Sequence, residues 1–488
     1  MGKSSKEFLH LVKNFLFTNI NEKQKLVKNT FWILIAKIGG AIFRGLSFIL
    51  SARFLGPNLY GIFSSVYSYV SIFQSLGDFG LTTILTKKVS AETQKKEIYF
   101  LNVLFIFLLL SIFLFIIAFK LMPLFLKSEV EQKIFILIFL ALFFDLLREI
   151  GNSFLRGLEK MEIQSLIHNL VNFLAFIFVG LILKQKPLVE TLSQIYFWSF
   201  LAGALFIMIF VKLNASNFKL KFLSLREIKS ILTESWSLGL ANVLFFLNFN
   251  LIIVILNLFS SNMIVGLYSS ALKLYEALLF LPSSFSLAIF PLMAKNKDNL
   301  KKYLELSFHF FHFIFWPLIV GTIILGKEVL AFLFGQNYLS AYFYFVILML
   351  GYLINSFLLS LINLLVVLQK RKELLIFDFL NFIFITILAF ILIPWLKGYG
   401  AALVHFLNFV FLFIFAYLIS KKYINFKLSF DWLKIFLSSL LMGIFILMIK
   451  TLNLHLIFII ILAFLFYLLL LFVFKEKIIL DIKNLRNN

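Results

Sequence analysis

Leu55-Gly56-Pro57-Asn58-Leu59-Tyr60-Gly61-Ile62-Phe63-Ser64-Ser65 lies between two long apolar runs. Its second half returns 205 residues later as Val265-Gly266-Leu267-Tyr268-Ser269-Ser270. A second echo pairs Leu158-Glu159-Lys160 with Leu368-Gln369-Lys370, at an offset of 210. Both echoes include non-apolar residues, which sets them apart from chance matches between apolar strings. Each step crosses six apolar runs. Six is even, so two copies of a six-helix unit insert the same way round, as a parallel repeat about an axis along the membrane normal.

Composition fixes the environment of that repeat. Of 488 residues 62% are hydrophobic and only 14% charged, with 67 phenylalanines and a mean hydropathy of +1.01. Soluble domains are closer to half apolar, and this much surface cannot be covered by so few charges. A bilayer core takes about 20 apolar residues per helix. Fourteen runs qualify, at 30–52, 60–85, 98–119, 134–155, 162–183, 192–212, 235–258, 264–292, 304–325, 339–368, 374–394, 399–420, 430–449 and 455–474. Their apolarity is continuous rather than alternating, which selects helices over a barrel. The expected fold is an all-α integral membrane protein with two pseudo-symmetric six-helix lobes and two C-terminal helices. Its parts are a cytoplasmic amphipathic N-terminus (1–29, with Phe8, Leu9, Val12, Phe15 and Leu16 on one side), lobes at 30–229 and 230–422, and a last pair of spans with a tail at 423–488. No cleavable leader is expected, because a polar, basic stretch precedes the first run. The absence of cysteine excludes disulfides and thiolate metal sites.

The net charge of +22 is a topology signal rather than a nucleic-acid one. With the N-terminus placed in the cytoplasm, 32 of the 45 Lys and Arg residues fall on that side, among them Lys87, Lys88, Lys95 and Lys96, then Lys295, Lys297, Lys301 and Lys302. Both termini are therefore expected inside. The bilayer is the expected partner, and nucleic acid is not.

Ionisable groups at membrane depth cost a few kcal/mol each and usually face a bundle interior or a wet cavity. The first run carries Lys37, Gly40, Arg44, Ser47 and Ser51, spaced 3, 4, 3, 4 and hence on one helical stripe. Two cations among small residues suit an anion, since Arg offers paired donors to phosphate oxygens. A tight seam with snorkelling cations is the competing reading. The fourth run carries Asp145, Arg148, Glu149 and Asn152 at i, i+3, i+4 and i+7, either a hydrophilic substrate wall or a structural network. In the eighth, Lys273 and Glu276 are three apart, so Lys273 either meets an anion or neutralises its neighbour. Asp78, within Leu76-Gly77-Asp78-Phe79-Gly80, reads as the cap of a helix break. Asp378 and Asn381 on the eleventh run, with Asn250 on the seventh, supply hard oxygens for a monovalent cation or a proton. His309, His312 and His405 read as interhelical hydrogen-bonding groups. Phosphate-cradling Walker motifs, zinc-protease motifs and nucleophile elbows are absent, which argues against an enzyme and against ATP as the energy source.

Several of these elements together resemble the polysaccharide-transporter (Wzx-type flippase) branch of the MOP superfamily. They are Ser51-Ala52-Arg53-Phe54-Leu55-Gly56-Pro57 with Tyr60-Gly61; Leu76 to Gly80; Leu155-Arg156-Gly157-Leu158-Glu159-Lys160; Val265 to Lys273 with Leu281-Pro282 and Phe290-Pro291; Leu333 to Tyr338; and Gly398 to Ala402. The resemblance covers roughly residues 28 to 420. It implies a plasma-membrane flippase that carries a polyprenyl-(di)phosphate-linked oligosaccharide to the outer leaflet by alternating access, alongside polysaccharide-assembly proteins. It also implies phosphate-binding roles for Arg44 and Lys273, with Lys37 as a third candidate. It implies no bound cofactor, with Na⁺ or H⁺ coupling through Asp378 and Asn381. Asn250 stands where the family commonly has Asp, which takes a charge from that set. A drug exporter on the same fold is the first alternative, and a membrane glycan polymerase or glycosyltransferase the second.

Overall fold

The computed structural model describes residues 21–215, 218–426, 432–452 and 454–476. The amphipathic segment expected over 5–20 lies outside the described residues. Among the described residues there is no strand. The chain divides into two compact units, Met1–Leu258 and Phe259–Asn488.

The first unit opens with α1 (Glu22–Asp78), where the Asn21 side chain accepts from the Gln24 N–H. This element is two antiparallel arms rather than one rod. The rings of Phe48 and Tyr67 stand 6.0 Å apart, though a straight helix would separate them by about 28 Å. The reversal is at Gly56, whose φ of 71° belongs to glycine. Pro57 follows, where a missing N–H costs nothing at the start of the next arm. The second arm ends as the sequence predicts. Phe79 and Gly80 are left-handed, and Asp78 Oδ1 accepts from the Thr82 N–H at 3.1 Å, capping α2 (Leu81–Ala91). Next come α3 (Lys96–Phe125), α4 (Glu129–Gly157, with a Ser128/Glu131 capping box), α5 (Met161–Phe178), α6 (Val189–Asn214) and α7 (Leu225–Phe259).

The second unit holds α8 (Asn262–Leu278), α9 (Phe280–Lys295), α10 (Leu300–Phe334), α11 (Tyr342–Val367), α12 (Arg371–Lys421), α13 (Leu433–Lys450) and α14 (Leu456–Val473). Like α1, α12 is a folded pair of arms. Asn408 Nδ2 donates to Asn381 Oδ1 at 2.8 Å across 27 residues, a span of about 40 Å in a straight helix. It turns at Lys397.

The repeat is visible in the backbone breaks of each unit. Helix α4 ends with Glu159 left-handed (φ 60°) and the Lys160 N–H donating to the Leu155 carbonyl. Helix α11 ends with Gln369 left-handed (φ 58°) and Lys370 donating to Leu365. Each is a Schellman closure, 210 residues apart. Helices α2 and α9 end at Glu92 (φ −133°, ψ 71°) and Asn296 (φ −119°, ψ 70°), and each is followed by one 3₁₀ turn.

Among the described residues, ten helices are long and apolar enough to cross a membrane, or eleven if the bent pair Leu225–Leu244 and Phe246–Phe259 is one span. The sequence-based fourteen counts apolar runs; the ten counts helical stretches, several of which run through a break. Two of those ten, Gln24–Ala91 and Lys372–Lys421, contain the reversals at Gly56 and Lys397. Helix α4 is not among them because Asp145, Arg148 and Glu149 sit in its apolar middle.

Candidate functional site

The first arm of α1 has two exposed sides of opposite character. Phe31, Leu34, Ile38, Ile42 and Leu46 form an exposed apolar stripe, the natural lipid face. Lys37 and Arg44 are also exposed, seven residues apart and hence on one side. At 100° per residue Arg44 stands about 160° round the helix from Ile42. The rest of the predicted polar stripe is packed: Gly40, Ser47 and Ser51 are buried, and Ser51 Oγ donates to the Ser47 carbonyl. Neither Lys37 nor Arg44 makes a hydrogen bond or ion pair to a described residue. Arg44 is close enough to act electrostatically on His168 of α5 and Tyr196 of α6.

Next to this side lies a polar network centred on α4. The Arg148 guanidinium, 2% exposed, contacts Asp145 Oδ1 through Nη2 (2.6 Å) and Nε (3.2 Å), and Glu149 Oε1 through Nη2 (3.1 Å). Its Nη1 is 3.0 Å from His168 Nδ1. Arg156 Nη1 lies 3.6 Å from Glu149 Oε2, Asn152 Nδ2 donates to Glu149 Oε1 at 3.0 Å, and Gln74 reaches Asp145 and the Leu142 carbonyl. Two carboxylates thus face two guanidiniums, and the network is neutral within itself. Room for Arg148 comes from Gly203 on α6, where an added Cβ would stand 3.0 Å from Arg148 Cδ. All four predicted wall residues are in this network; Arg148 and Asn152 are buried, while Asp145 and Glu149 are 21% and 31% exposed. On this face the structure shows a network whose two carboxylates are partly exposed.

The second unit places Lys273 in an ion pair, its Nζ 2.6 Å from Glu276 Oε2, with both side chains about one-quarter exposed. Asp378 is half-buried with no ion pair to a described residue, and Asn381, one turn on, accepts from Asn408. Asn250 belongs to the first unit, where its amide donates to the Phe246 carbonyl one turn back. Arg44 and Lys273 likewise stand in different units. The three histidines are internal partners: His309 pairs with Glu476 at 2.6 Å, His312 accepts from Trp316 Nε1, and His405 is buried against Tyr268, Tyr275 and Phe409.

Sequence reasoning missed His168, Arg156, Gln74 and Asn408. For His168 a signal was present: His168, Asn169 and Asn172 are polar neighbours at helical spacing on an otherwise apolar run, the same pattern that drew attention to α4.

Ten helical stretches among the described residues, long and apolar enough to cross a membrane, make this a multi-pass membrane protein. A family model described as "Polysaccharide biosynthesis protein" matches residues 26–297, more than half of the chain, and the chain belongs to that family. An "Uncharacterized membrane protein in cps region" from Klebsiella pneumoniae is 24% identical over 340 residues, 65% of this chain, and the chain spans 66% of that relative's length. Among solved structures, "Lipid II flippase MurJ, inward closed conformation" aligns with a TM-score of 0.77 at 17% identity, covering 92% of this chain and 100% of that one. An outward-facing multidrug resistance MATE family transporter of the MOP superfamily aligns with a TM-score of 0.56 at 14% identity, covering 84% and 97%. The chain shares the fold of these two structures.

Proposed function

We propose that this protein is a flippase that moves a polyprenyl-(di)phosphate-linked oligosaccharide from the cytoplasmic to the outer leaflet of the plasma membrane. The observation that carries the reading is the unpaired Arg44–Lys37 side of α1, turned away from the apolar stripe and next to a network that is already neutral. A lone exposed guanidinium at this depth is costly unless it meets an anion, and phosphate oxygens match its geometry. The family is one of polysaccharide synthesis, which makes the lipid-linked glycan the natural source of that anion. The sugar and phosphates are handled by polar surface while the polyprenyl tail stays in lipid. Within the second unit, Lys273, held by Glu276 at rest, is the cation on which a phosphate acts. Asp378 and Asn381, with Asn408 beside them, are the groups on which a coupling monovalent cation or proton acts. Both termini are cytoplasmic, and polysaccharide-assembly proteins are partners.

The test is glycan export in a flippase-deficient strain. Arg44→Ala lowers export by about tenfold or more at matched protein level, the loss of a hydrogen-bonded charge contact. Lys37→Ala, nearer the membrane surface, lowers it less. Export at the wild-type level by Arg44→Ala removes this residue from the mechanism.

A further inference from the structure

His168 has no role in the scheme above. It lies on α5 against the first arm of α1, where a Cβ on Gly40 would collide with its Nε2; the ring occupies space that only glycine leaves. Its Nδ1 is 3.0 Å from Arg148 Nη1. A guanidinium nitrogen keeps its proton and can only donate, so Nδ1 is the acceptor. An imidazole that accepts at Nδ1 is neutral and carries its one proton on Nε2. A proton on Nδ1 as well would set N–H against N–H across that distance. Nε2 makes no hydrogen bond to a described residue, and the side chain is 16% exposed. Gly40 and Arg44 are one turn apart on the same side of α1, about 6 Å between Cβ positions. An N–H donor of fixed orientation and an unpaired guanidinium are therefore neighbours on this side of α1.

We propose that His168 contacts the substrate directly: its Nε2–H donates to a phosphate oxygen of the same prenyl diphosphate headgroup that Arg44 meets. This rests on the flippase reading and adds to it a neutral donor next to the cation. Such a donor strengthens and orients the contact without adding charge that would hold the headgroup in place. Arg148 keeps Nδ1 occupied and so keeps the proton on Nε2. The charged groups facing the ring are Arg148, Glu149 and Asp145 from α4 and Arg44 from α1.

Two substitutions separate this role from a structural one. Asn places an oxygen near the position of Nδ1 but has nothing at Nε2. Gln reaches the Nε2 position with an N–H but gives up the acceptor for Arg148. The full-length protein in nanodiscs is titrated with farnesyl-diphospho-N-acetylglucosamine, whose charge is constant near neutral pH. His168→Asn weakens binding about tenfold with an unchanged thermal unfolding temperature. His168→Gln keeps most of the binding and unfolds at a lower temperature. Wild-type affinity changes by less than about twofold between pH 6 and 8.5, because the donor is neutral throughout. Wild-type binding by His168→Asn, with Arg44→Ala still impaired, overturns the role of His168 and leaves the flippase reading in place. A wild-type affinity that falls about tenfold per pH unit also overturns it, since the contact is then a cation's. A wild-type protein that does not bind the probe overturns the substrate reading and this inference with it.

Discussion

At the scale of the residue, Arg148 shows how a charge persists inside a membrane helix. It is buried, and each of its three nitrogens meets a partner: Asp145 and Glu149 on its own helix, His168 across on α5. Removing such a cation leaves Asp145 uncompensated and Glu149 with Arg156 alone, and breaking a buried pair costs about 3–5 kcal/mol. Arg148→Met is therefore expected to lower the unfolding temperature sharply. Adding Asp145→Asn to it restores much of the loss, because Glu149 keeps Arg156 and no carboxylate is left without a cation. Thermal unfolding of the single and double variants in one detergent checks both. The four-residue polar face was legible from spacing alone. Its closure was not: Arg156 reads as an ordinary basic residue at a helix end, and His168 comes after a turn. The Schellman closure at Glu159 decides which sides of α4 and α5 meet, and that geometry has no signature in the spacing of polar residues.

At the scale of the element, the break between α1 and α2 was legible in kind but not in purpose. Leu76-Gly77-Asp78-Phe79-Gly80 announces a capped interruption, and Asp78 caps it. What the sequence does not display is the neighbour 160 residues later. A Cβ on Gly80 would stand 2.9 Å from both the Gly239 nitrogen and the Ser235 carbonyl oxygen of α7. Both are backbone atoms and cannot swing aside. Gly80 also has a φ of 78°, so a side chain there is strained twice over. Gly80→Ala is expected to lower the unfolding temperature and the folded yield. Gly321, within α10, has no atom within 4 Å of its added Cβ, and Gly321→Ala is neutral or stabilising by up to about 1 kcal/mol. Size-exclusion profiles and melting curves of the two variants make the comparison. The same kind of close approach explains Gly40 under His168 and Gly203 beside Arg148. In a chain where leucine and phenylalanine fill most positions, glycine marks where another element comes near without saying which.

At the scale of the whole molecule, the repeat was the most legible feature, because its traces lie in turns, where polar and small residues stand out from an apolar background. The number of spans was less legible, since reversals at Gly56 and Lys397 and charges within α4 make apolar runs and helical stretches different things. Sidedness follows from the repeat. The turn after α2 carries Lys87, Lys88, Lys95 and Lys96; the equivalent turn after α9 carries Lys295, Lys297, Lys301 and Lys302. Basic loops stay cytoplasmic, and an even repeat returns the chain to the same side. The turn between α3 and α4, at Ser128, lies one crossing later and is expected outside. The chain has no cysteine, so single cysteines can be read without background. Thr93→Cys and Lys297→Cys are expected to react with a membrane-impermeant maleimide in inverted vesicles and not in intact cells, with Ser128→Cys the reverse. Labelling of Thr93→Cys and Lys297→Cys from opposite sides requires an odd number of crossings between them, which a duplicated six-helix unit cannot supply; the halves would then be inverted copies. The backbone likeness of Glu92 to Asn296 and of Glu159 to Gln369 would then be convergent turn chemistry rather than a trace of duplication.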